Sequence, residues 1–185
     1  MTTQFFLQMS GAPGAGKTTI ATALGKATGA VVIDHDVTKG ALLAADIVPA
    51  QAGRASYQVL HALAGHLLQQ GHSVIFDSPC FYLDLLERGQ QLATAYGANY
   101  RYIECVLNDL DELDRRLTTR PRLPSQVAGV YAIPTVGSGK QVSGAITFQD
   151  WIMNMKRPHT DYLTLDTAQS VESCIAQAIN YVGGR

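Results

Sequence analysis

Eight residues near the start of the chain, Gly11, Ala12, Pro13, Gly14, Ala15, Gly16, Lys17 and Thr18, follow the spacing G-x-x-x-x-G-K-[ST], with Thr19 next. Their types suit the cradling of a polyphosphate. Glycines let the backbone turn tightly, so that several N–H groups converge on one anion. A helix beginning at the end of such a loop adds its partial positive charge. Lys17 has the reach for the outer phosphates, and the Thr18 hydroxyl can ligate Mg²⁺. The motif implies that the chain binds a nucleoside triphosphate.

Three carboxylates stand where a reaction at that phosphate would need them. Asp77 closes an apolar run, the place for a side chain that orients Mg²⁺ or its water. Asp34 and Asp36 end another apolar run and compete as the general base that takes a proton from an acceptor hydroxyl. Asp34 can cap a helix. Asp36 faces the crevice if strand alternation continues past Asp34, which sends His35 to the other side as a structural residue. Asp36 could instead cap the segment beginning at Val37. Lys39, three residues on, can hold a polar or anionic group of the acceptor, or be a plain surface lysine.

Cations must also surround the transferred group, and Arg supplies a rigid fork of donors. Arg116, Arg120 and Arg122 lie at the end of a charged segment that also holds Asp111, Glu112, Asp114 and Arg115. Arg115 reads as an ordinary helix ion pair. Arg120 and Arg122 flank a proline and lack carboxylates at helical spacing, so at least one is expected at the triphosphate. Cys80 has no basic neighbour and reads as an inert thiol. His61, His66 and His72 lack metal-ligand spacing.

These residues need a frame. Apolar runs at 4–9, 30–34, 73–77, 100–107 and 161–166 read as strands. Helical patterns fall at 19–27, with Ile20, Ala23, Leu24 and Ala27 on one face, then at 51–70, 81–96, 111–118 and 171–182. In the last of these Ile175, Ala178, Ile179 and Val182 point inward. Alternating strands and helices predict an α/β fold, a five-stranded parallel sheet with helices on both faces. Residues 121–158 are punctuated by Gly and Ser, with Lys140 the one charge between Arg122 and Asp150, a turn-rich make-up usual for a functional segment. Trp151, Ile152, Met153 and Met155 read as the cluster that pins this stretch to the core. The expectation is one domain over residues 1–185, with a lid and acceptor insertion at about 115–158.

The whole composition narrows the class. The chain has 185 residues, 46% hydrophobic and 16% charged, with a formal net charge of −1. That is globular composition, and it argues against a long nucleic-acid footprint while leaving room for one terminal nucleotide. Three scattered cysteines make no disulfide framework and suit the cytoplasm. No run has membrane-spanning length, and the N-terminus reads as having no leader.

The motifs Ser10 to Thr19, Asp34-His35-Asp36, Gly71 to Pro79, Asp114 to Arg120 and Tyr162 to Thr167 resemble the small P-loop kinases of the AAA_33 or predicted-kinase type. These are similar in turn to chloramphenicol phosphotransferase, polynucleotide 5′-kinases, gluconate kinase and zeta toxins. The resemblance implies a nucleoside-kinase-like P-loop fold with a lid, and ATP and Mg²⁺ as cofactors. It implies Lys17 and Thr18 at the phosphates, Asp36 as base and Arg116 and Arg120 in the lid. Arg157, Pro158 and Thr167 would then lie on the adenine side. Residues 121–158 depart from the pattern, being longer and richer in Gly than a minimal lid. The leading expectation is a kinase acting on a hydroxyl of a small molecule. A polynucleotide 5′-hydroxyl kinase and a nucleotide-binding switch module are the alternatives. A guanine-reading N/T-K-x-D is not supplied by Thr38-Lys39-Gly40 or by Asn154 to Arg157.

Overall fold

The computed structural model describes residues 4–123, 125–132 and 144–184. Five strands, β1 (Phe5–Ser10), β2 (Val31–Asp34), β3 (Val74–Asp77), β4 (Asn99–Val106) and β5 (Leu163–Asp166), form one parallel sheet in the order β2-β3-β1-β4-β5. β1 lies at the centre, with Leu7 beside Ile75 of β3 and Arg101 of β4. Parallel neighbours require crossovers, and the helices supply them. These are α1 (Lys17–Thr28), α2 (His35–Ala44), α3 (Pro49–Gln69), α4 (Leu83–Ala95), α5 (Leu110–Thr119), α6 (Gly144–Met153) and α7 (Val171–Gly183).

Strand alternation sorts the core into two layers. Phe5, Leu7 and Met9 pack with Ile20, Ala21 and Leu24 of α1, Cys174 and Ala178 of α7, and Leu113 and Leu117 of α5. Phe6 points the other way, to Val74, Phe76 and the α3 face of Leu60, Ala64 and Leu68. α1 and α7 therefore cover one face of the sheet, and α3 and α4 cover the other. Gln8 is buried, held between the Tyr100 hydroxyl, which donates at 2.9 Å, and the Cys80 thiol at 3.3 Å.

The structure departs from the sequence expectation at four places. Ala27 is exposed and Ala21 takes its place in the core. Ile179 is exposed on α7, where Cys174 is the buried partner of Ala178. The residues from His35 onward are helix rather than extended chain. The end of the Gly-rich stretch forms α6, whose Phe148 is fully buried and whose Trp151 packs on Phe148 and on Phe81. Trp151, Ile152 and Met155 join the core as expected, while Met153 faces outward at 69% exposure. The middle of the expected lid, residues 133–143, and Pro124 lie outside the described residues. Among the described residues no helix is long and apolar enough to cross a membrane.

Candidate active site

The carboxyl ends of β1, β2 and β3 open into a cleft of about 1580 Å³. Its floor is the loop between β1 and α1. Gly11 adopts φ 131°, and a Cβ there would stand 2.3 Å from the Cys105 carbonyl oxygen, so no other residue fits without moving β4. Gly14, at φ 86°, lies against Leu113 and Leu117, which seats α5 directly on the loop. This contact sets where the arginines of α5 can reach. Pro13, Gly14, Gly16, Lys17, Thr18 and Thr19 line the cleft. Ala12 and Ala15 are buried behind it and give the loop its support.

Lys17 folds onto its own loop, donating to the carbonyls of Gly11 at 2.8 Å and Ala12 at 3.0 Å. Burial holds its ammonium below the ordinary lysine range, and Arg120 adds to the shift. Asp77, Cys105 and Asp36 oppose it. These groups therefore share one electrostatic site. Asp77 is 3% exposed, and its Oδ2 has no hydrogen-bond partner among the described residues. Burial pushes its carboxyl up to about 6, against the pull of Lys17 and the Thr18 hydroxyl. A buried carboxylate oxygen without a partner, on a carboxyl that also meets the Thr18 hydroxyl, fits a Mg²⁺ ion bound through few protein ligands, waters and phosphate oxygens. Among the described residues no three His, Cys, Asp or Glu gather into a metal cage.

Asp34 and Asp36 separate cleanly. Asp34 Oδ1 accepts from the backbone N–H of Asp36 at 2.6 Å and of Val37 at 3.3 Å, which makes it the cap of α2. Burial raises its carboxyl, partly offset by those two bonds. The alternation that was to place Asp36 does not operate, because the chain turns helical at His35. Asp36 instead reaches the cleft from the first turn of α2. Burial alone would raise its carboxyl, but the His35 imidazole 3.7 Å away, the Gln126 hydrogen bond and Lys17 together hold it below the ordinary value. His35 is buried and stacked on Tyr57 with ring centroids 4.1 Å apart, yet it also lines the cleft beside Asp36 rather than turning to the other side. Lys39 also lines the cleft.

Arg116 and Arg120 both line the cleft, whereas Arg122 does not. Arg116 donates to Glu112 at 2.8 Å and to the Thr167 carbonyl at 2.9 Å, tying α5 to the end of β5. Arg120 is the freer, with a buried Nε that has no partner among the described residues. Arg115 forms the expected helix pair with Glu112 at 2.6 Å, and both arginines hold the Glu112 carboxyl down to about 2.

Arg157, expected on the adenine side, is engaged elsewhere. It grips Glu104 of β4 with two bonds of 2.7 Å and lies outside the cleft. Glu104 is only 5% exposed in its side chain, so its charge requires that partner. Thr167, expected on the same side, does line the cleft and lies against Gly16. Cys80 is inert as expected, its thiol pushed up to about 12 by burial.

The sequence reading missed Gln126, whose Nε2 donates to Asp36 Oδ2 at 2.9 Å, and Ser125, whose hydroxyl donates to the Asp36 carbonyl at 2.9 Å. It also missed Tyr57, Phe81, Arg54, Arg88 and Lys156, which complete the walls. Helical spacing of Arg54, Gln58 and His61 along α3 was the available signal, since it puts all three on one face.

The model of the AAA domain family AAA_33 matches residues 7–128. The chain belongs to this family. The match runs from β1 to the Ser125–Gln126 contact on Asp36, and so spans the loop, both carboxylate positions and α5. No curated protein matches the sequence. Solved structures share the fold of this AAA_33 chain over nearly its full length. A protein of Chloroflexus aurantiacus assigned as a kinase superposes with a TM-score of 0.70 at 21% identity, over 97% of this chain and 98% of that one. The APS kinase of Mycobacterium tuberculosis, solved with AMPPNP and APS, gives 0.68 at 19% identity over 98% and 99%. A gluconokinase of Sinorhizobium meliloti gives 0.64 at 12% over 98% and 93%. The architecture is that of the small P-loop kinases.

Proposed function

We propose that this protein transfers the γ-phosphoryl group of ATP, with Mg²⁺, to a hydroxyl group of a small-molecule acceptor. The observation that carries this is the division between Asp34 and Asp36: one caps α2, leaving the other in the cleft with Lys17. The loop N–H groups and Lys17 hold the phosphates, and Arg120 meets the charge on the transferred group. Thr167 would face the nucleotide base, and Arg116, bonded to the Thr167 carbonyl, would join it from the lid side. Mg²⁺, held by Thr18 and Asp77, would neutralise charge on the phosphate oxygens. The acceptor oxygen bonds to the γ-phosphorus as the bond from that phosphorus to the β-phosphate oxygen breaks. The hydroxyl proton passes to Asp36, and ADP leaves. Asp36 is ionised at neutral pH, as a base must be, because its carboxyl lies below the ordinary range.

Three kinases among the fold neighbours, one for APS, one for gluconate and one for a sugar, support phosphoryl transfer to a small molecule. Three free, buried thiols are consistent with a cytoplasmic setting. The test is a phosphotransfer screen of the purified protein with labelled ATP against sugars, nucleosides, aminoglycosides and a 5′-hydroxyl oligonucleotide. Transfer to a small acceptor is expected. Transfer to the oligonucleotide alone would make the chain a polynucleotide kinase, and hydrolysis indifferent to every acceptor would favour a switch. With an acceptor in hand, Asp36→Asn should lower turnover about 10²–10⁴-fold. Near-normal turnover in that variant would remove Asp36 as the base.

A further inference from the structure

The wall of the cleft beyond Asp36 carries a row of cations that phosphoryl transfer from ATP does not use. Lys39 stands one helical turn from Asp36 on α2, and its Cε lies 4.0 Å from where a Cβ on Gly53 would be, so it reaches across to α3. Arg54 follows Gly53 there. One turn further along, Gln58 accepts from Arg88 of α4 at 3.4 Å. Arg88 is close enough to His61 to help hold that imidazole below its ordinary range, behind burial as the larger cause. Lys39, Arg54 and Arg88 therefore form a ribbon across α3, and all three line the cleft.

Lys156 belongs to the same wall, and its backbone is fixed. Its N–H donates to the Cys80 carbonyl at 2.8 Å, and its own carbonyl accepts from the Tyr102 hydroxyl. Beside it Trp151 packs on Phe81, ring centroids 5.7 Å apart, so the wall is built rather than a chance of loose side chains. None of the four cations has an ion-pair partner among the described residues. Asp84 is the carboxylate on this stretch of wall, and it is exposed and pairs with none of them. A chain of net charge −1 thus collects unpaired positive charge next to its base. Unpaired cations focused in a cleft select for anions.

Building on the reading of the site as a kinase centre, we propose that the acceptor carries an oxyanion group (phosphate, sulfate or carboxylate) besides its reacting hydroxyl. The Lys39, Arg54 and Arg88 ribbon holds that group and turns the hydroxyl toward Asp36. Lys39 and Arg54 would then decide which alcohols are phosphorylated, while Lys17 and Arg120 serve every reaction alike.

The experiment titrates the full chain, loaded with Mg²⁺ and AMPPNP, with acceptor pairs that differ by one anionic group. Suitable pairs are gluconate and glucose, glycerate and glycerol, and adenosine 3′-phosphate and adenosine. At least one charged member is expected to bind tenfold or more tightly than its neutral twin. That preference should disappear in the Arg54→Gln/Lys39→Gln variant, both positions being on the surface of folded helices, with AMPPNP affinity as the internal check on folding. Equal binding of both twins, undiminished binding of the charged one in the variant, or no binding by any charged member overturns the inference. Because the readout is binding, a charged acceptor that binds without receiving phosphate counts against the kinase reading and leaves the ribbon in place.

Discussion

At the scale of single residues the cleft trades stability for function. Lys17 illustrates the coupling: its ammonium donates to two carbonyls of its own loop. Lys17→Ala removes a charged hydrogen bond to the outer phosphates, and MgATP binding should weaken by about 1.5–3 kcal/mol in a calorimetric titration. Asp77 gives a sharper case, since its folded pKa of about 6 lies above the usual aspartate value of 3.8. The protonated form is the one the fold favours. Its contribution is therefore complete below pH 4 and lost as pH rises through 6, a swing of about 3 kcal/mol from roughly two pKa units. Without nucleotide, Asp77→Asn should melt higher than the parent at pH 8 and level with it at pH 4, while losing Mg²⁺-dependent nucleotide affinity. A melting temperature that falls at pH 8 would show that Asp77 is a structural carboxylate after all.

At the scale of elements, the pair between Arg157 and Glu104 ties the segment after α6 to β4. Arg157→Ala leaves the buried Glu104 carboxylate alone, and stability should fall by about 3 kcal/mol in a urea titration. MgATP affinity should stay within twofold, because Arg157 lies outside the cleft. A loss of affinity with stability intact would return Arg157 to the adenine side. The strand, loop and helix around Lys17 were legible because each carries its own local signal: a short apolar run, glycines at fixed spacing, a 3.6-residue period. α2 was not, since its His35 is buried by stacking on Tyr57 and its leucines are only half-buried. α6 was hidden by the Gly-rich residues before it, although Ala145, Phe148, Trp151 and Ile152 have helical spacing. Local pattern cannot reveal a partner 53 residues away, which is why the Glu104 contact of Arg157 was invisible.

At the scale of the whole molecule, the sheet order rests on β1 at its centre, and the sequence carried the parallel class through its strand and helix alternation. It did not carry the identity of the cleft walls. Gln126 meets Asp36 across 90 residues, and Lys156 meets Cys80 through backbone atoms that no side-chain pattern reports. The site is thus half local and half assembled. The phosphate side is written in one contiguous stretch, whereas the acceptor side is gathered from α2, α3, α4 and the segment after α6. Such a division lets the acceptor wall change by substitutions that leave the phosphate loop untouched.

The central place of β1 also governs how the chain can fold as the ribosome releases it. Leu7 must wait for Ile75 and then Arg101 before both its edges are paired. The apolar face of α1 packs on β1, β2 and β3 and is closed by α7, which follows all of them in the chain. The same order that places β1 at the heart of the finished sheet leaves its edges open until β3 and β4 have followed it, a window in which chaperones would find their substrate.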